Sequence, residues 1–193
     1  MRKCFYVILC VAFIMSVASC GRKQETRSQG PEPTSFEKAM TEKDTLAVES
    51  LIDQFFQHAI RKEYSEAAAM IYRNDLERSG KAYPLSGEEM ALVCKRLQIF
   101  PPIDYSIEYI KFNKYKKNEV LCNVVMSKTP DGRPLATTKM FFKPVNNLGT
   151  WYLCLMNTDY GDKGVVKPGE RDSLQRVYKA KAAQREAAKD ATE

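Results

Sequence analysis

Between Asp44 and Ala59 apolar residues return at steps of three and four, as Val48, Leu51, Ile52, Phe55, Phe56 and Ala59, with polar side chains between them. A helix turns once in about 3.6 residues, so this spacing lines one face and predicts a buried helix capped by Asp44. Lys62-Glu63 breaks the rhythm, and Tyr64, Ala67, Ala68 and Ile71 begin a second amphipathic helix, the two forming a helical pair. No clear period runs from Asn74 to Pro84. Ser86 followed by Glu89 is the signature of a capping box, and it opens a third helix with the inner stripe Met90, Val93, Cys94 and Leu97, ended by Pro101-Pro102.

After the prolines the period becomes two. Ile103, Tyr105, Ile107 and Tyr109 alternate with Asp104, Ser106 and Glu108, which predicts a half-buried strand with a bulge near Ile110 that presents Phe112. Asn113 to Asn118 is the turn into a second strand, Glu119 to Lys128. Pro130-Asp131-Gly132 predicts a tight hairpin into a third strand, Leu135 to Lys143. That loop sets Val120, Cys122, Val124 and Met126 opposite Phe142, Met140, Thr138 and Ala136, one nearly all-apolar face. Asn146-Asn147 and Gly149 turn into a fourth strand, Thr150 to Thr158. Beyond Tyr160 only Leu174, Val177 and Tyr178 mark a stripe in a Lys, Ala, Arg and Glu background, which predicts a solvated helix with a frayed end.

The front of the chain has a different pattern: Arg2-Lys3, an apolar run from Phe5 to Met15, then Val17-Ala18-Ser19-Cys20 and the polar Gly21-Arg22-Lys23. The run is too short for a membrane span, which needs roughly 20 apolar residues. It resembles the signal and lipobox of bacterial lipoproteins, with small Ala18 and Ser19 before the cysteine. The resemblance implies cleavage after residue 19 and lipid, including palmitate, on Cys20, which would anchor the protein to the membrane of the cell envelope. Gly21 points to the outer membrane, facing the periplasm. The segment 20–43 is polar and rich in Gly, Pro, Ser and Thr, and it is expected to be a flexible tether. The expected organisation is a signal peptide (1–19), the tether (20–43), one domain (44–160) and a charged C-terminal extension (161–193).

Charge and cysteines narrow the function. A net charge of +6 spread over interspersed residues is a solvated surface rather than a nucleic-acid footprint. Of the 6 cysteines, Cys4 and Cys10 belong to the signal and Cys20 to the lipid. This leaves Cys94, Cys122 and Cys154, which fall in apolar patterns without metal-knuckle spacing and are expected to be buried thiols. Asp159-Tyr160-Gly161-Asp162-Lys163-Gly164 has calcium-loop composition but no bidentate acid at the required distance, so it reads as a turn. Neither metal nor cofactor is expected.

Three helices followed by four strands predict an α+β fold in which the N-terminal helices pack on a curled four-stranded antiparallel sheet, with a charged C-terminal helix or tail. With Phe55-Phe56, Arg61-Lys62-Glu63-Tyr64, Ala67-Ala68 and Gly149-Thr150-Trp151, the stretch from Asp44 to Asp159 is similar to the NTF2-like, cystatin-like cone, although that fold commonly has a Gly-Asp step where this chain has Lys62-Glu63. The resemblance implies a pocket between the first helix and the sheet, used in some members by isomerases or dehydratases. Here no carboxylate stands among the apolar inner positions, His58 is at the edge of its stripe, and Asp53, Asp104 and Glu108 fall on solvated faces, so no catalytic residue is expected. The leading expectation is a non-enzymatic structural or interaction role, the partner being a second copy of the chain or another envelope protein on the sheet face of Leu121, Val125, Leu135 and Phe141. The alternative is a module for a small apolar ligand, lined by Phe55, Tyr105, Tyr109 and Trp151.

Overall fold

The structure, a computed structural model, describes residues 34–74, 82–114, 117–156 and 164–191. The signal, Cys20 and the expected calcium-like loop lie outside the described residues, as does the end of the expected fourth strand. Helix α1 (Ser35–Ala39) falls in the stretch expected to be tether. Thr34 caps it by accepting the Glu37 N–H at 3.1 Å, and the Thr34 hydroxyl donates to the Asn113 carbonyl at 2.8 Å. Phe36 and Met40 pack on the main core, so ordered structure begins ahead of Asp44.

Helix α2 (Glu42–Ile60) is capped by Thr41 rather than Asp44. Asp44 sits one turn in, where its carboxylate accepts the Thr41 N–H at 2.9 Å and the Thr41 hydroxyl at 2.7 Å. An acidic side chain at that position satisfies an orphan N–H of the cap, which is why the cap signal appeared displaced in the sequence. Val48, Ile52, Phe55, Phe56 and Ala59 are fully buried, as the stripe predicts. The chain reverses through Lys62, whose φ of 66° is left-handed, into α3 (Tyr64–Ala69). Lys62 therefore bears the strain of a Cβ at a turn that glycine would make freely. Helix α4 (Gly87–Ile99) has the predicted box: the Glu89 carboxylate accepts the Ser86 N–H at 2.8 Å, and the Ser86 hydroxyl accepts the Glu89 N–H at 3.3 Å.

The sheet has six strands, not four, and it is mixed rather than antiparallel. The two additions are β1 (Ile71–Asn74), which begins at the residue expected to continue a helix, and β2 (Ala82–Pro84). They are followed by β3 (Asp104–Lys111), β4 (Glu119–Lys128), β5 (Pro134–Asn147) and β6 (Thr150–Leu155), in the spatial order β2-β1-β6-β5-β4-β3. Only the β1–β6 pairing is parallel. Both added strands are too short to show a period of two, and β1 pairs with a strand distant in sequence, so local pattern gives no sign of either.

Register between β4 and β5 follows the hairpin prediction at Val120↔Phe142, Cys122↔Met140 and Val124↔Thr138, then slips so that Ala136 meets Ser127 rather than Met126. The β3 irregularity lies between Ile107 and Tyr109, ahead of Ile110. Because side chains alternate, this shift puts Tyr109 opposite Leu121 on the outer face and returns Ile110 and Phe112 to the inner core.

Helices α2, α3 and α4 cover the inner face, with Val120, Cys122, Val124, Phe142, Trp151 and Leu153. The outer face has its own cover. A 3-10 turn (Pro168–Glu170) leads into α5 (Arg171–Asp190), whose Leu174 and Tyr178 pack with Val166 against Tyr109 and Leu121, while the Arg171 guanidinium stands 5.1 Å above the Phe141 ring. The C-terminal stripe expected to be solvated is therefore docked, with Val177 left outside. Leu121 and Val125 are buried, and of the face expected to meet a partner Leu135 is the strongly exposed member, at 69%. No described helix is long and apolar enough to cross a membrane. Cys94, Cys122 and Cys154 are thiols, two of them buried.

Lys62→Gly removes a left-handed penalty of about 1–2 kcal/mol and adds roughly 0.5–1 kcal/mol of chain entropy. Circular-dichroism melts are expected to show a higher midpoint for Lys62→Gly and a lower one for the β-branched Lys62→Val.

Candidate functional site

Of the aromatics expected to line a pocket, Phe55, Tyr105 and Trp151 share the inner core and Tyr109 does not. Phe56 stacks on Tyr105 at 4.2 Å between centroids, and Phe55, Phe56 and Phe142 meet edge to face at 5.2 to 5.9 Å. Trp151 belongs to a second group, 5.2 Å from Phe112, and its indole N–H donates to Asp44 at 3.1 Å. The structure thus joins Phe55 and Tyr105 through Phe56 and anchors Trp151 to the start of α2.

Polar groups converge at the edge of the first cluster, between α2 and β3. The Tyr105 hydroxyl donates to Asp53, a half-buried carboxylate that the sequence placed on the solvated side of the helix. Burial, and then the Asp53 charge, push the Tyr105 phenol well above its ordinary value. Cys122 lies on the same face, and its thiol is pushed far up by burial and next by the charges of Asp53 and Glu108. Asp104 is held below the usual carboxylate range by Lys128, 2.7 Å away. Chemically this edge offers a hydrogen-bonding carboxylate beside an aromatic wall. Its phenol and thiol are both pushed towards their protonated forms.

His58 lies elsewhere, at the end of α2. Its Nδ1 is 2.6 Å from the Glu63 carboxylate, which Arg61 also contacts at 3.0 Å. The His58 contact, with burial opposing it and Arg61 adding to it, holds Glu63 below its usual range.

The sequence reading missed Glu119, a carboxylate with 0% exposure. It accepts the Tyr109 hydroxyl at 2.5 Å, the Val165 N–H at 2.5 Å and the Val166 N–H at 3.3 Å. Burial and then Glu119 push the Tyr109 phenol up, with Arg171 opposing. The available signal was phase: Glu119 is in step with Leu121 and Val125, the apolar residues of the outer face. A third pair of the same kind joins α5 to α2, where the Tyr178 hydroxyl donates to Glu49 at 2.7 Å. The Arg185 guanidinium grips the same carboxylate in a fork, at 2.9 and 2.7 Å. Burial and Glu49 together raise the Tyr178 phenol strongly.

No protein-family model and no curated protein matches the chain. One solved structure similar to it is a candidate NTF2-like transpeptidase from Campylobacter jejuni, 16% identical, covering 56% of this chain and 97% of its own, with a TM-score of 0.33.

A phenol with a raised folded pKa contributes stability below its unfolded value near 10 and loses it as pH rises towards the folded value. Stability is therefore expected to fall above about pH 10, and phenolate absorbance should show Tyr105, Tyr109 and Tyr178 silent until the chain unfolds. Removing the phenol donor from a carboxylate by Tyr→Phe costs roughly 1–3 kcal/mol, and denaturant titration should find a clear loss for Tyr109→Phe because Glu119 is fully buried.

Proposed function

We propose that this chain is an envelope lipoprotein, acylated on Cys20, whose NTF2-like domain has a non-enzymatic structural or interaction role at the outer membrane, facing the periplasm. The observation that carries this reading is the sequence Val17-Ala18-Ser19-Cys20 behind a short apolar run, followed by polar chain. The finer assignment to the NTF2-like cone rests on a long α2 laid across a sheet with α3 and α4 beside it. A role in contact rather than chemistry is supported by what the ionisable groups do: the pairs Asp53–Tyr105, Glu119–Tyr109 and Glu49–Tyr178 each fasten one element to another.

A small apolar ligand is the second reading, and the Asp53–Tyr105 pair beside Phe56 favours it as a polar mark on an aromatic wall. Pairing of two copies through the outer sheet face would require α5 to leave Leu121.

Metabolic labelling with a palmitate analogue tests the anchor: the native chain takes up label and enters the detergent phase of an extraction, and Cys20→Ala loses both. A Cys20→Ala chain that still labels overturns the assignment.

A further inference from the structure

Helix α4 is apolar on two faces. Its inner stripe, Val93 and Leu97 with Met90 and Cys94, packs on the core. On the opposite side of the same helix Leu92 and Ile99 point outward with 59% and 57% exposure, and Phe100 and Ile103, which follow at the helix exit, are exposed by 59% and 44%. Single exposed apolar residues are ordinary, but four grouped on one helix and its exit are not. Lys95 and Arg96, both exposed, fall between Leu92 and Ile99 on that outward side, and no carboxylate occurs from Met90 to Ile103. Apolar side chains interleaved with long cations are the composition of a helix lying on an anionic bilayer, where aliphatic groups enter the acyl boundary and the cations snorkel to phosphate.

We infer that the outer face of α4, with Phe100 and Ile103, rests on the anionic lipid surface of the membrane that holds the chain. The inference builds on the anchor proposed at Cys20, and the geometry allows it. The link from Cys20 to Thr34 reaches at most about 50 Å. Thr34 is bonded to Asn113, just past the end of β3, while Ile103 stands at the start of that strand, roughly 25 Å away. The patch therefore lies within the leash, and the edge of the sheet carrying β3 turns towards the bilayer. Held there, the domain needs only a weak surface to dock, because the second contact is intramolecular.

The test uses the full, lipid-modified chain on vesicles of phosphatidylcholine, alone or mixed with phosphatidylglycerol, with brominated acyl chains as tryptophan quenchers. Phe100→Trp reports from the patch. Leu148→Trp reports from the exposed turn between β5 and β6, at the other end of the sheet, and the native Trp151 is a buried background common to both. On the mixed vesicles Phe100→Trp is expected to be quenched well beyond Leu148→Trp, and Lys95→Gln or Arg96→Gln in that background to lower the docked-to-undocked ratio about fivefold each. Equal quenching at the two positions, or none at Phe100→Trp, overturns the inference and is the outcome expected if the patch meets a protein. Flotation on phosphatidylcholine alone reads the anchor separately: a chain that does not float defeats the lipidation reading, and quenching on mixed vesicles still decides the patch.

Discussion

A tyrosine hydroxyl given to a carboxylate is the interaction on which this fold turns, and it occurs at three joints. Tyr105 and Asp53 lock the long helix to edge strand β3, Tyr109 and Glu119 join β3 to β4 while the same carboxylate takes the Val165 and Val166 amides of the C-terminal segment, and Tyr178 and Glu49 lock the last helix to the first long one. The physics favours this pairing over an ion pair at buried joints, since only one partner carries charge and the phenol contributes a large apolar ring. Glu119, the most deeply buried of the carboxylates, is also the best supplied, with two backbone amides besides the phenol. A carboxylate out of water needs that many donors to remain charged without large cost.

The same joints explain how a six-stranded sheet keeps its faces and edges covered. Strand β3 is at one edge and contacts α5, and the other edge, β2, is only three residues long and ends in Pro84. Short edge strands and covering helices are the usual protection against pairing with other chains. By reaching Glu49 through Tyr178 and Arg185 after packing Leu174 on the outer face, α5 passes from one face of the sheet to the helix on the other. A segment with no fully buried residue is thus held by a few well-placed bonds.

Much of this could be read in the chain because the relevant signals are local. The stripe of α2, the Ser86–Glu89 box and the first three β4–β5 pairs each depend on residues within one element or one hairpin. What escaped depends on distant partners. Ile71 looks helical from its neighbours, yet it pairs with Leu153, and the burial of Glu119 is caused by Val165 and Val166. A one-residue change in where β3 bulges moved Tyr109 to the other side of the sheet, a sensitivity inherent in the alternation of strand side chains. At the site, Asp53 was assigned to water because nothing in a helical pattern reveals that a phenol on another element stands over it.

Glu119 is separated from its Val165 amide by 46 positions, so in a polypeptide delivered from its N-terminus the acid arrives long before the groups that make its burial tolerable. A chain ending before Val165 would leave the Glu119 carboxylate without two of its three donors, and that end of β4 is then expected to stay open to solvent rather than close beneath the outer layer.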